Sequence, residues 1–274
     1  MQTHAIEHTF IVPTMLYALI DHPATPEHDL SSLRALIYGA SPASPARVRE
    51  ALERFGPVLV QTYGQTEAPN TILILDQQAH QNASAEQLAS AGQPFPGLDV
   101  ALLGDDGQPT ANGETGEICV KGPLLMSGYH GQPEQTERTL VDGYLRTGDL
   151  GRIGADGLFY IVDRKKDMII SGGFNIYPKE IEDVLSAHPE VAAVAVFGVP
   201  DPKWGGAVKA VVALKLGATA SPEQLIDYVR ARKGAIHTPK SIELVDAVPV
   251  TSLGKPDKKS LRSRYWNQQS REIA

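Results

Sequence analysis

Several short stretches carry side chains that could do chemistry. From Tyr63 to Asn70 the chain reads YGQTEAPN, directly after the apolar run PVLV. An aromatic ring, an amide, a hydroxyl and a carboxylate follow one another there. Hydroxyls and amides can donate to anionic oxygens, and a carboxylate can hold a hard cation. A strand-end turn with an exposed Thr-Glu pair would look the same. A second stretch, YLRTGD, ends on Asp149; a third, DRKKD, packs Asp163, Arg164, Lys165, Lys166 and Asp167 together; a fourth, TSLGKPDKK, carries Lys255, Lys258 and Lys259. Taken singly these read as a Gly-Asp turn, a solvated charge run and a basic loop. His4, Glu7 and His8 spell H-x-x-E-H, a zinc-protease pattern that on a helix would put both histidines on one face. Nothing near them offers a third ligand. Cys119 is the only cysteine, which excludes an intrachain disulfide or a zinc knuckle.

The elements that must position these residues have three textures. Up to about Gln93 the pattern is α/β. LRALIYGA (Leu33 to Ala40) is strand-like. Ser44 and Pro45 then stand at N-cap and first-turn positions, and Val48, Ala51, Leu52 and Phe55 recur at helical spacing until Gly56. PVLVQTYG returns to extended structure. Strand, helix and strand make the unit of a parallel sheet, whose ligands gather at the carboxyl ends of the strands. YGAS and YGQTE both lie at such ends. From Pro94 to about Val162 short β segments (LDVALL, GEICVKG, GLFYIV) alternate with the turn signals GDDG, NGETG, VDGY and GADG, as in a small barrel or a distorted meander. Beyond Lys166 comes an α+β unit. Pro178 opens a helix with Ile181, Val184 and Leu185 on one face, VAAVAVFGV and VKAVVALKL read as strands, and Ser221 with Gln224 forms a capping box. The expected division is 1–93 (α/β), 94–165 (β-rich, barrel-like) and 166–274 (α+β).

The chain has 274 residues, 42% hydrophobic and 21% charged, with a formal net charge of −7. That composition is globular and argues against a groove tracking nucleic acid phosphates. No apolar run approaches a membrane span, and MQTHAIEHTF lacks the basic start of a secretory signal. The expected location is the cytoplasm.

In order, YGQTE, YLRTGD, DRKKDMIISGGFNIYPKEIEDVL and VPVTSLGKPDKKSLR resemble the motifs of the adenylate-forming (AMP-binding) superfamily, over nearly the whole chain from Leu33. The segment SGGFNIYPKEIE looks most like acyl-CoA synthetases acting on fatty, alicyclic or aromatic acids. The resemblance implies that ATP activates a carboxylate as an acyl-adenylate, which then passes its acyl group to coenzyme A. It also implies the roles. Thr66 donates to the α-phosphate and Glu67 binds Mg²⁺. Tyr63, with Gly64 beside it, stacks on adenine, whose other face lies on the backbone of Gly39, Ala40 and Ser41. Asp149 accepts from both ribose hydroxyls, and Arg164 reaches ribose or phosphate. Lys166 is the hinge on which a C-terminal lid domain swings. Gly172 and Gly173 flank the pantetheine tunnel. Lys255, singled out by its place after Gly254, bridges the incoming carboxylate and the α-phosphate, while Lys258 and Lys259 are solvated.

One family feature is absent from the sequence: the Ser/Thr/Gly-rich phosphate loop ending in Lys-Gly. The expectation is therefore that Met1 falls inside the large domain of a longer ancestor, and that adenylation by these residues alone is very weak. A non-catalytic AMP-binding remnant and one half of a split enzyme, completed by a separate N-terminal fragment, stand as alternatives. A carrier-protein-dependent adenylation domain would use the same nucleotide residues.

Overall fold

A computed structural model describes residues 1–111, 113–251 and 255–266. The chain divides into two compact units, Met1–Ile161 and Val162–Ala274.

The first unit begins with a five-stranded sheet: β1 (His8–Ile11), β2 (Ala35–Gly39), β3 (Leu59–Gln65), β4 (Ala68–Leu75) and β5 (Gln93–Pro94), in that spatial order. β1, β2 and β3 are parallel, with Leu36 beside Leu59 and Gly39 beside Thr62; β4 and β5 run antiparallel. Two crossover helices, α1 (Pro13–Asp21) and α2 (Pro45–Phe55), supply the connections that parallel strands require. Pro45 pre-sets the φ of the first turn of α2, and Gly56 ends the helix at φ 77°, a value that costs other residues strain. Ser44 occupies the N-cap, but its side chain makes no capping bond; its N–H is taken by the Tyr17 hydroxyl at 2.7 Å. Val48 and Ala51 of α2 and Leu16 of α1 pack on Leu36, Tyr38 and Leu59, which places this core between helices and sheet. A short helix, α3 (Gln77–Gln81), follows β4.

The remainder of the first unit is an open antiparallel sheet. It comprises β6 (Asp99–Leu103), β7 (Gly116–Lys121), β9 (Tyr144–Ile153) and β10 (Phe159–Arg164), in the order β10-β9-β7-β6; helix α4 (Pro133–Thr139) leads into β8 (Leu140–Val141), which pairs with β9. Of the two forms expected from the turn-rich texture, it takes the meander, and no closed barrel forms among the described residues.

The second unit is α+β. A hairpin of β11 (Ile169–Ser171) and β12 (Phe174–Ile176) precedes α5 (Pro178–Ser186). β13 (Val191–Asp201) and β14 (Gly205–Leu214) are antiparallel, and β15 (Ser241–Val245) adds parallel to β14. Helix α6 (Pro222–Lys233) begins with the anticipated capping box of Ser221 and Gln224, and α7 (Lys258–Trp266) closes the described chain. Ile181 and Leu185 of α5, with Leu225 and Val229 of α6, cover Val194, Val196, Val208 and Val212 of the sheet. No helix among the described residues is long and apolar enough to cross a membrane.

Candidate functional site

The first set of candidate residues gathers at the carboxyl ends of β2 and β3. Gly39 closes β2 so tightly against its neighbour that a Cβ there would lie 2.3 Å from the Thr62 carbonyl oxygen. The next residue, Ala40, has φ 68°, a left-handed conformation that side chains rarely adopt and that concentrates at functional turns. The chain therefore turns sharply off the sheet at Ala40 and Ser41, leaving backbone beside the tip of β3.

At that tip the stretch YGQTE does not trail into a loop. Gln65 pairs with Ala68, so Thr66 and Glu67 form a two-residue hairpin tip between β3 and β4. Tyr63, two residues before it, is buried, and its hydroxyl donates to Asp149 Oδ2 at 2.8 Å across 86 residues of sequence. Asp149 lies on β9 and is only 7% exposed. Its surroundings are polar and tied down: Thr147 Oγ1 donates to the Ile118 carbonyl at 2.7 Å and accepts from the Asp149 N–H at 3.1 Å, while the Gly148 N–H donates to Glu117. A buried carboxylate held in place by the Tyr63 phenol is suited to accept hydrogen bonds from a neutral diol.

Glu67 is half-buried and held twice. Its carbonyl accepts from the Met126 N–H at 2.8 Å, and Tyr129 donates its hydroxyl to Glu67 Oε1 at 2.7 Å. Burial, and next the bond to Glu67, push the Tyr129 hydroxyl above the ordinary tyrosine range, so it stays a donor. Tyr129 went unread in the sequence, where SGYHGQPEQT offers only turn and helix-start signals. Its partnership with Glu67 is made by the fold.

The second set lies in the second unit. Arg164 ends β10 and is exposed; Lys166 is exposed in a single 3₁₀ turn, Lys165–Asp167. Gly172 and Gly173 form the two-residue turn of the β11–β12 hairpin, with φ 57° and 84°, the pair of positive values that a tight hairpin of this hand demands. Lys255 is bonded to Thr251 twice: the Thr251 N–H donates to its carbonyl at 2.7 Å, and its own N–H donates to Thr251 Oγ1 at 3.3 Å. Gly254, used to single it out, lies outside the described residues.

Lys258 differs from expectation. Instead of being solvated, its side chain is 18% exposed and its ammonium lies 2.8 Å from Glu182 Oε1 on α5. Burial works against its charge, but Glu182 and Asp163 outweigh this and hold it above the ordinary lysine value. Asp163 itself is pushed up to about 6 by burial, against the pull of Lys258 and of the Lys179 and Arg164 N–H groups that donate to it. Lys259 is exposed, as anticipated.

His4, Glu7 and His8 do not assemble. His8 opens β1 and Glu7 pairs with Arg34 at 3.7 Å. Among the described residues no group of three or more His, Cys, Asp and Glu could hold a metal ion.

The family model of AMP-binding enzymes matches residues 1–130, and that of the AMP-binding enzyme C-terminal domain matches residues 180–255. A medium/long-chain-fatty-acid–CoA ligase of Mycobacterium tuberculosis is 48% identical over 280 residues, taking in 100% of this chain and 48% of that one. The solved structure of the amide bond synthetase McbA from Marinactinospora thermotolerans matches with a TM-score of 0.91 at 44% identity, covering 96% of this chain and 53% of that one. The o-succinylbenzoate CoA synthetase MenE of Bacillus subtilis, solved with an acyl-adenylate intermediate, matches with a TM-score of 0.81 at 34% identity, covering 98% of this chain and 52% of that one. The chain thus spans about half the length of the relatives it matches.

Proposed function

Because the chain belongs to the AMP-binding enzyme family, we propose that it carries the nucleotide grip and the lysine-bearing unit of an ATP-dependent acyl-CoA ligase. In the first half-reaction a carboxylate oxygen attacks the α-phosphorus of ATP. The bond to the bridging oxygen breaks, and pyrophosphate leaves. In the second, the thiol of coenzyme A attacks the acyl carbon, AMP departs with the bonding pair, and the thiol proton is released.

The single observation that carries this reading is the buried Tyr63–Asp149 hydrogen bond of 2.8 Å. It joins the end of a parallel strand to a carboxylate whose chemistry suits a ribose. Tyr63 stacks on adenine, with Gly64 beside it. The backbone of Gly39, Ala40 and Ser41, with Ala40 at φ 68°, lies against the opposite face. Asp149 accepts from the ribose hydroxyls, and Thr66, exposed at the hairpin tip, donates to the α-phosphate. Arg164 adds a cation for ribose or phosphate. Lys255 presents an ammonium to the attacking carboxylate and the α-phosphate, where preorganised positive charge lowers the barrier most. Lys166 absorbs the backbone turn between an adenylating and a thioester-forming arrangement, for which an exposed residue is suited. Gly172 and Gly173 give the pantetheine arm a path without side chains.

Glu67 fits a Mg²⁺ ion in one respect. It is a hard oxygen ligand, and Mg²⁺ is commonly held by one or two carboxylates plus substrate phosphates. Bound there, the ion would draw negative charge off the phosphates.

The acyl substrate is a fatty, alicyclic or aromatic acid, and the work is cytoplasmic. No Ser/Thr/Gly-rich loop ending in Lys-Gly occurs in the 274 residues. Loss of even one preorganised donor costs roughly 10²–10³ in rate, so adenylation needs such a loop, whether on the same polypeptide or on a separate fragment. A second reading is a non-catalytic AMP-binding remnant. Calorimetry separates them. AMP binding that Asp149→Ala abolishes, with pyrophosphate released from ATP plus acid once a phosphate-loop fragment is added, supports the ligase. AMP binding with no release under any such condition supports the remnant. No AMP binding at all rejects both.

A further inference from the structure

The geometry points to Tyr129 as a positioning residue for the cation-binding carboxylate: its phenol holds one oxygen of Glu67 and leaves the other to meet a divalent metal. The inference rests on the reading in which Glu67 binds Mg²⁺ beside the nucleotide.

Glu67 stands at the tip of a two-residue turn, where a long side chain keeps most of its rotamer freedom unless something restrains it. Two contacts do so, and both come from one short segment. The Met126 N–H donates to the Glu67 carbonyl at 2.8 Å, fixing the backbone, and the Tyr129 hydroxyl donates to Oε1 at 2.7 Å, fixing the head. Phenol to carboxylate is a charge-assisted bond, about twice as strong as a neutral one. Tyr129 is itself anchored. Its N–H donates to Thr136 Oγ1 at 2.9 Å, and that hydroxyl donates to the Gln132 carbonyl at 3.0 Å on entry to α4. Gly128 brings the segment so close to Thr136 that a Cβ would lie 2.8 Å from Thr136 Cγ2. A chain of contacts thus runs from a helix to the carboxylate, each member restrained by the one before it. Groups that orient a ligand in this way commonly shift metal affinity 10- to 100-fold when removed.

The test measures ATP binding to the 274-residue chain by calorimetry over a range of Mg²⁺ concentrations, with AMP binding in EDTA as the metal-free reference. Tyr129→Phe is expected to raise the Mg²⁺ concentration for half-maximal tightening about tenfold, and to leave the AMP affinity in EDTA unchanged. Thr136→Val, which keeps the phenol but removes its backbone anchor, is expected to give a smaller shift in the same direction. Glu67→Gln is expected to abolish the Mg²⁺ dependence. A Tyr129→Phe protein with unchanged or stronger Mg²⁺ dependence overturns the positioning role while leaving the functional reading intact, as free Oε1 would then serve the metal as well or better. Retained dependence in Glu67→Gln overturns it as well. A wild-type chain that binds neither AMP in EDTA nor ATP with Mg²⁺ rejects the functional reading and this role together.

Discussion

Asp149 concentrates the nucleotide argument in one side chain. Hydrogen bonds to a charged group contribute roughly 1.5–3 kcal/mol each. A carboxylate accepting from two ribose hydroxyls should therefore account for at least about a hundredfold in affinity. Asp149→Ala is expected to weaken AMP binding by that factor, read by calorimetry. Tyr63→Phe removes the phenol that donates to Asp149 but keeps the ring. A loss of at least about tenfold is expected, the lower end of what one hydrogen bond to a charged group contributes. Equal losses in the two variants would mean that Asp149 acts only through its bond to Tyr63 and not by accepting from the ribose. Both residues were legible because YGQTE and YLRTGD are motif residues of fixed type. Their bond was not, because no local pattern brings together residues 86 positions apart. Lys258 illustrates the converse. Beside Lys255 and Lys259 it reads as one more solvated lysine, and only the approach of Glu182 and Asp163 makes its burial tolerable.

Glycines separate two kinds of constraint on the elements. Gly39 is limited by space, since a Cβ would meet the Thr62 carbonyl at 2.3 Å on the paired strand. Gly39→Ala must push β2 and β3 apart, and an overpacking cost of about 3 kcal/mol is expected, seen as a lower urea midpoint by circular dichroism. Gly173 has φ 84° and nothing within 4 Å of a built Cβ, so its constraint is conformational alone. Gly173→Ala should cost about 1–2 kcal/mol, and Gly173→Asn much less, because asparagine tolerates the left-handed region. A Gly39→Ala protein as stable as wild type would contradict the tight β2–β3 seam. The same punctuation explains which elements the sequence disclosed. Pro45 and Gly56 bracket α2, and Ser221 with Gln224 starts α6. β4 and β9 were hidden. APNTILIL opens on a proline and an asparagine that read as loop, and YLRTGDLGRI has two glycines and three charges within ten residues. Their extended form comes from partners: β3 for the one, β7 for the other. The open five-stranded sheet was accordingly visible as a texture and not as a topology.

At the scale of the whole molecule, both tryptophans, Trp204 and Trp266, fall in the second unit, so fluorescence follows its unfolding without a signal from Met1–Ile161. That unit carries an unusual buried acid. Asp163 is 6% exposed, and burial pushes it up to about 6 from 3.8, although Lys258 and two backbone N–H groups draw it down. A carboxylate raised in the folded state holds its proton more tightly folded than unfolded. Well below pH 3.8 both states are protonated and its contribution is constant. As pH rises from there towards 6 the unfolded chain releases the proton first, and stability falls; above 6 both states are ionised and the fall stops. The shift of about two units corresponds to roughly 3 kcal/mol in all. Glu190, Glu223 and Glu243 of the same unit are lowered instead, by backbone or side-chain hydrogen bonds. Their stabilisation is present above the unfolded glutamate value and lost as pH falls below it, so they oppose the trend only at the acid end. Subtracting Asp163→Asn from wild type cancels them. The urea stability difference between the two proteins, read by tryptophan fluorescence, is expected to shift by about 2 kcal/mol in wild type's disfavour from pH 4.5 to 7, with most of the change below pH 6. A difference that stays flat across that window would mean that Asp163 is ionised throughout, its charge compensated by Lys258 in full.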